Sequence, residues 1–196
     1  MELITSLNFN DWIITTLETF DGTGLSGLTD LFLNNNQLTS FDGTGLSGLT
    51  QLDLRNNLLT SFTGTGLTNL TNLDLRNNLL TSFVGTDLTN LTDLNLTNNG
   101  LTSLDVLPMT SLIKLFLTDA YGLNGNPMTA TANDTILSGL VTNGNSGGNF
   151  YTSGGRTAAG TADYDVLIAN GWNLLGLDLI AVVRKLRVKG VGQLNP

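Results

Sequence analysis

One period constrains this chain more than any other feature: a leucine-rich segment returns at a constant interval without a gap. The segments LFLNNNQLTSF (31–41), LDLRNNLLTSF (52–62), LDLRNNLLTSF (73–83) and LNLTNNGLTSL (94–104) align directly, and the second and third are identical. Leu31-x-Leu33 recurs as Leu52-x-Leu54, Leu73-x-Leu75, Leu94-x-Leu96 and Leu115-x-Leu117. Alternating leucines place two side chains on one face of a short strand. Leu38, Leu59, Leu80 and Leu101 follow each strand, then Phe41, Phe62, Phe83 and Leu104, and further leucines fill the return arm. One such unit cannot bury its apolar set alone, so the units must stack as successive coils.

The spacing also predicts the ends of the array. One period before Leu31, Asn10-Asp11-Trp12 takes the strand position, with Leu17 and Phe20 in step behind it. This degenerate first unit reads as an N-terminal cap. Asn36, Asn57, Asn78 and Asn99 fall where each strand ends. A buried amide there can bond backbone groups of its own coil and of the next, so this column is read as structural.

The pattern L-x-L-x-x-N-x-L at constant spacing over residues 10–120 resembles the leucine-rich-repeat family. The resemblance implies a strand-dominated α/β chain: a leucine-rich-repeat solenoid with 21-residue coils and a parallel sheet on its concave face. Such short coils leave mostly turns or 3₁₀ pieces on the convex side. Beyond residue 118 the period lengthens. Asn133 or Asp134 is expected to cap a helix through Ile136, Leu137, Leu140 and Val141, closed at Asn143-Gly144. A strand is expected around Phe150, a second helix through Tyr164–Ile168, and a last strand from Trp172, nearly one period after Phe150. The chain thus divides into an N-terminal cap with repeats (1–118), helix–strand capping coils (119–178) and a basic terminal strand (179–196). The stretches 136–155 and 157–172 resemble the C-terminal part of leucine-rich-repeat proteins of bacteriophage virions and of some bacterial surface proteins.

Composition narrows the chemistry. With no Cys and no His, the chain has no disulfide framework, no thiolate or imidazole metal site and no Ser-His-Asp triad. No enzyme activity and no cofactor is expected. Of the net charge of −8, residues 1–178 carry −12 and residues 179–196 carry +4. The acidic body disfavours nucleic acid. No stretch is long and apolar enough for a membrane span, and MELITSLNFNDW does not read as a targeting segment.

Two kinds of candidate site remain. On the concave face the strands expose Phe32, Asp53 with Arg55, Asp74 with Arg76, Asn95 and Phe116. A solvated ion-pair face is the plain reading; a polar groove anchored by Phe32 and Phe116 is the functional one. Asp53 and Asp74 as a glycosidase pair is disfavoured, because nothing in the sequence would raise either pKa. In the tail, Arg184, Lys185, Arg187 and Lys189 alternate with apolar residues, as in a strand that adds to a partner's sheet. Gly22-x-Gly24 and Gly43-x-Gly45 imitate a dinucleotide fingerprint, but their recurrence with the coil reads as tight turns. The favoured function is a non-enzymatic phage virion component, a capsid decoration or a tail or fibre subunit. The alternative is a bacterial surface adhesin or protein-interaction module. Expected partners are other virion proteins through the C-terminal strand, a host-surface protein or glycan, and a second copy of the chain.

Overall fold

A computed structural model describes residues 5–9, 17–118 and 125–177. Each coil contributes one short strand to a single parallel sheet. Among the described residues its members are β1 (Ser6–Asn8), β2 (Asp30–Phe32), β3 (Gln51–Asp53), β5 (Asn72–Asp74), β7 (Asp93–Asn95), β8 (Lys114–Phe116), β9 (Gly148–Tyr151) and β10 (Trp172–Leu175), side by side in that order. On the opposite side of the coils, β4 (Ser61–Thr63) and β6 (Ser82–Val84) pair as a second small sheet. Two helices, α1 (Ala130–Asn143) and α2 (Thr161–Ala169), pack together in the C-terminal coils.

The register follows the sequence period. Leu31, Leu52, Leu73, Leu94 and Leu115 lie in one row across the sheet, and each is at most 2% exposed. In β2, β3, β5, β7 and β8 the middle residue points inward and its two neighbours point out, as strand geometry requires. Behind the sheet, Phe20, Phe41, Phe62 and Phe83 stack with centroids 6.2, 6.2 and 5.5 Å apart. Burying a leucine contributes about 1.5–3 kcal/mol, so this continuous core is the main stabilising term.

Polar ladders tie the coils together. Asn57 Nδ2 donates to the carbonyls of Leu33 (3.0 Å) and Leu54 (2.9 Å), while its Oδ1 accepts from the N–H of Leu38 (3.0 Å). Asn78 repeats the arrangement with Leu54, Leu75 and Leu59. Asn36 and Asn99 make the matching donations. The column is structural, but each amide reaches the preceding coil rather than the next. The strand leads the side chain back under the coil already laid down. Thr50, Thr71 and Thr92 donate in turn to the carbonyls of Thr29, Thr50 and Thr71 at the entry to the sheet, each at 3.0 Å.

The G-x-G turns also have a packing origin. A Cβ on Gly64 would stand 2.5 Å from Leu88 of the next coil, and Gly66 has φ +82°. One coil on, Asp87 occupies the left-handed position at φ 72° and accepts from the Gly66 N–H at 3.1 Å. These glycines serve coil stacking and turn shape, so the fingerprint is accounted for without a nucleotide.

Three details differ from the sequence expectation. The first strand is Ser6–Asn8, not Asn10–Trp12. Leu7 pairs with Leu31, so the first coil is longer than the repeats that follow, and Asn10–Trp12 lie outside the described residues. Helix α1 is capped by Thr129, whose side chain accepts from the Ala132 N–H at 3.1 Å. Asn133 is instead buried inside the helix, donating to the carbonyls of Ser153 (2.8 Å) and Gly155 (2.7 Å). Phe150 pairs with Leu174 rather than Trp172, which makes that coil longer than the spacing to Trp172 suggests. The closing Gly144 has φ 72°, and its N–H donates to Val141, as its place after Asn143 predicts.

Asn78→Ala is expected to lower the unfolding free energy by about 3 kcal/mol, since it strands two buried carbonyls and one N–H. Asn77→Gly, at a left-handed position on the surface, should stay within about 1 kcal/mol of the parent. Urea unfolding followed by circular dichroism separates the two; equal losses would remove the special role given to the buried column.

Candidate binding face

The outward side chains of the sheet form columns at strand spacing. One column runs Phe32, Asp53, Asp74, Asn95, Phe116 and Tyr151. Its neighbour runs Asp30, Gln51, Asn72, Asp93, Lys114 and Asn149. Between them lies an open trough of about 280 Å³, walled at its two ends by Phe32 and Phe116. The structure therefore gathers Phe32, Asp53, Asp74, Asn95 and Phe116 on one surface. Arg55 and Arg76 stand at its margin, each paired with the acid of its own strand.

The charges are locally matched. Arg55 Nε meets Asp53 at 3.3 Å, Arg76 meets Asp74 at 3.1 Å, and Lys114 meets Asp93 at 2.5 Å. The acids are the more buried partners, at 16% and 23% side-chain exposure for Asp53 and Asp74. Each acid also caps its own turn: the Arg55 N–H donates to Asp53 and the Arg76 N–H to Asp74, both at 3.1 Å. Burial nevertheless outweighs these bonds and the guanidinium charges, and holds both carboxyls above their ordinary value of 3.8; for Asp74 the charge of Asp53 adds to the rise. This corrects the expectation that nothing raises either pKa. Partial burial was not legible in residues that look exposed by strand alternation.

Two features of this face carried a weaker signal in the sequence. Tyr151 extends the column beyond Phe116, with the rings edge-on at 5.0 Å between centroids. It sits past the long coil insertion, where the repeat no longer assigns positions. Asn35, Asn56, Asn77 and Asn98 form a second, exposed ladder at left-handed φ of 55–58°. Asn56 donates to Asn35 at 2.5 Å, Asn77 to Asn56 at 2.6 Å and Asn98 to Asn77 at 3.0 Å. The Asn-Asn doublet was its signal, because asparagine tolerates this conformation better than other side-chain-bearing residues.

A second hollow of about 670 Å³ lies between α1, α2 and the Asp105–Leu107 turn. Its Asp134 is already engaged by the Thr157 N–H and hydroxyl. Among the described residues no group of three or more acidic side chains is arranged to hold a metal, and no helix is long and apolar enough to cross a membrane. The tail residues Arg184, Lys185, Arg187 and Lys189 lie outside the described residues.

Among solved structures, the chain is similar to the functional domain of InlJ from Listeria monocytogenes, which includes a cysteine ladder. The two share 27% identity with a TM-score of 0.59, over 76% of this chain and 29% of that one. This chain thus spans less than a third of the solved chain's length. The likeness supports a leucine-rich-repeat-like fold. This chain contains no cysteine, and its described inter-coil ladders are built from asparagine and threonine. No protein-family model and no curated protein matches the chain.

The raised carboxyls make a pH prediction. A folded pKa above the unfolded value means that stability falls as pH rises from 3.8 through the folded pKa, and stays lower above it. Asp74→Asn keeps the turn bond, because Asn95 accepts the Thr97 N–H in the same way at 3.1 Å. The variant should melt higher than the parent at about pH 7, with the gap closing below the unfolded pKa. A lower melting point at neutral pH would show that the Arg76 pair outweighs burial.

Proposed function

We propose that this chain is a leucine-rich-repeat solenoid serving as a non-enzymatic binding module of a bacterial surface protein, with the trough between Phe32 and Phe116 as its binding face. The observation that carries this reading is the trough itself. Two aromatic rings close its ends, and the polar side chains between them are held in columns by a rigid sheet. Large, partly buried aromatics beside ordered polar groups are the composition of a recognition surface. The concave side of the solenoid is where this sheet would face a ligand.

The surface setting is favoured over the virion because the similar solved chain is bacterial. The virion reading rests on the C-terminal likeness over 136–172. In either setting residues 179–196, with Arg184, Lys185, Arg187 and Lys189, are proposed to attach the module to a partner. Catalysis by Asp53 and Asp74 is disfavoured because each carboxylate is already engaged by a backbone N–H and a guanidinium. A general acid needs a free proton-donating edge.

Two measurements test this. Mass spectrometry of purified surface fractions and of phage particles from the source culture should recover the peptides from the cell surface; stoichiometric recovery in particles would replace this setting with the virion. On an array of extracellular proteins and glycans, Phe32→Ala and Phe116→Ala should each weaken the captured ligand about tenfold. Unchanged capture by the double variant would move the site to the loops around 144–160.

A further inference from the structure

We infer that the ligand of the trough is an unbranched, neutral oligosaccharide lying across the strands, with Phe32 and Phe116 as the stacking platforms for its terminal sugars. The inference rests on the trough being the binding face and names the chemistry that fits it. Charge is the first argument. The carboxylates facing the trough, Asp53, Asp74 and Asp93, are each paired with a cation, so the face offers polar groups without net charge from these pairs. The surrounding body carries −12, which repels an anionic polymer. A neutral ligand meets neither obstacle.

Hydrogen-bonding capacity is the second. Asn72 and Asn95 use their carbonyl oxygens locally, on the Thr71 hydroxyl at 2.8 Å and the Thr97 N–H at 3.1 Å. Their –NH₂ groups, the amide of Gln51 and the remaining lone pairs of the acids stay available at the trough. Closely set planar donors and acceptors match vicinal hydroxyls, each of which can donate and accept at once. The backbone of the inner strands is already spent in the sheet, so an extended peptide would find no ladder to join here.

Repeat is the third. From Phe32 to Phe116 there are four strand steps, about 19 Å at strand spacing. The axial repeat of a linear pyranose chain is close to that spacing. Each sugar would therefore meet one strand's pair of polar residues, and a ring face would reach each phenyl group at the ends. Stacking on a partly buried aromatic is the apolar part of such binding, and its loss costs about tenfold per ring.

Isothermal titration calorimetry with neutral gluco-, xylo- and manno-oligosaccharides, from disaccharide to hexasaccharide, tests the inference on the full chain. At least one series should bind, tighten with length until the chain spans both rings, and then level off. The affinity should be insensitive to salt, and Phe32→Ala with Phe116→Ala should abolish the gain from length. Both rings are only partly buried, so circular dichroism of the variants should match the parent. Three results would overturn it. Binding of polylysine or a protein that depends on Phe32 and Phe116, without oligosaccharide binding, would keep the face and remove the glycan. Oligosaccharide binding indifferent to both substitutions would remove the face as well. Silence from every neutral series would reject the neutral glycan as ligand.

Discussion

The asparagine that closes each repeat strand, at positions 36, 57, 78 and 99, is the interaction on which the rest of the structure depends. Asn57 and Asn78 are 4% and 6% exposed, and each binds backbone groups drawn from two coils. A turn between strand and core leaves carbonyls and N–H groups that neither helix nor sheet can satisfy, and an unpaired buried group costs about 1–3 kcal/mol. The amide removes that cost and fixes the distance between coils. The left-handed asparagine just before it turns the chain. The sheet register, and with it the alignment of Phe32, Asp53, Asp74, Asn95 and Phe116, follows from this repeated exit.

The same solution persists where the period breaks. Between the strands at Leu115 and Phe150 the coil lengthens to admit α1, yet the two still pair in register. Asn126 takes over the bridging role, donating to the carbonyls of Leu96 and Leu117 and accepting from the Leu101 N–H. Asn133 ties α1 to the exit of β9, donating to the carbonyls of Ser153 and Gly155 and accepting from the Thr152 hydroxyl. Trp172 adds a bond from its indole N–H to the Asn145 carbonyl at 3.0 Å. Among the described residues an asparagine amide thus closes the exits of β2, β3, β5, β7 and β8 although the coil lengths differ.

Sequence legibility tracks the period. The strand row from Leu31 to Leu115, the phenylalanine stack, the buried asparagines and the outward columns were all readable, because each recurs once per coil. What was not readable is what spacing cannot carry. Leu7 rather than Trp12 leads the first coil, since an extra-long unit has no earlier copy to compare with. Thr129 rather than Asn133 caps α1, because both residue types suit a cap and only packing decides which is consumed inside. Asn126 was hidden because it follows Asn99 by more than one period and so falls out of step with the column it continues. The partial burial of Asp53 and Asp74 is a tertiary effect that alternation along one strand does not report.

That partial burial bears on the two acids differently from the neutral residue in their column. The third and fourth coils are identical from Leu52 to Phe62 and from Leu73 to Phe83, so their acids and arginines are repeated as a unit. The next coil places Asn95 in the same column and closes the same turn with the same 3.1 Å bond. An uncharged residue therefore satisfies the local backbone fully. Asp53 and Asp74 are held partly buried, and burial pushes each carboxyl above its ordinary value. Surface ion pairs as exposed as Arg55 and Arg76 contribute only about 0.2–1 kcal/mol. What the acids add over a neutral neighbour is a pair of ordered carboxylate–guanidinium units, one strand apart, in the middle of a trough with an aromatic ring at each end.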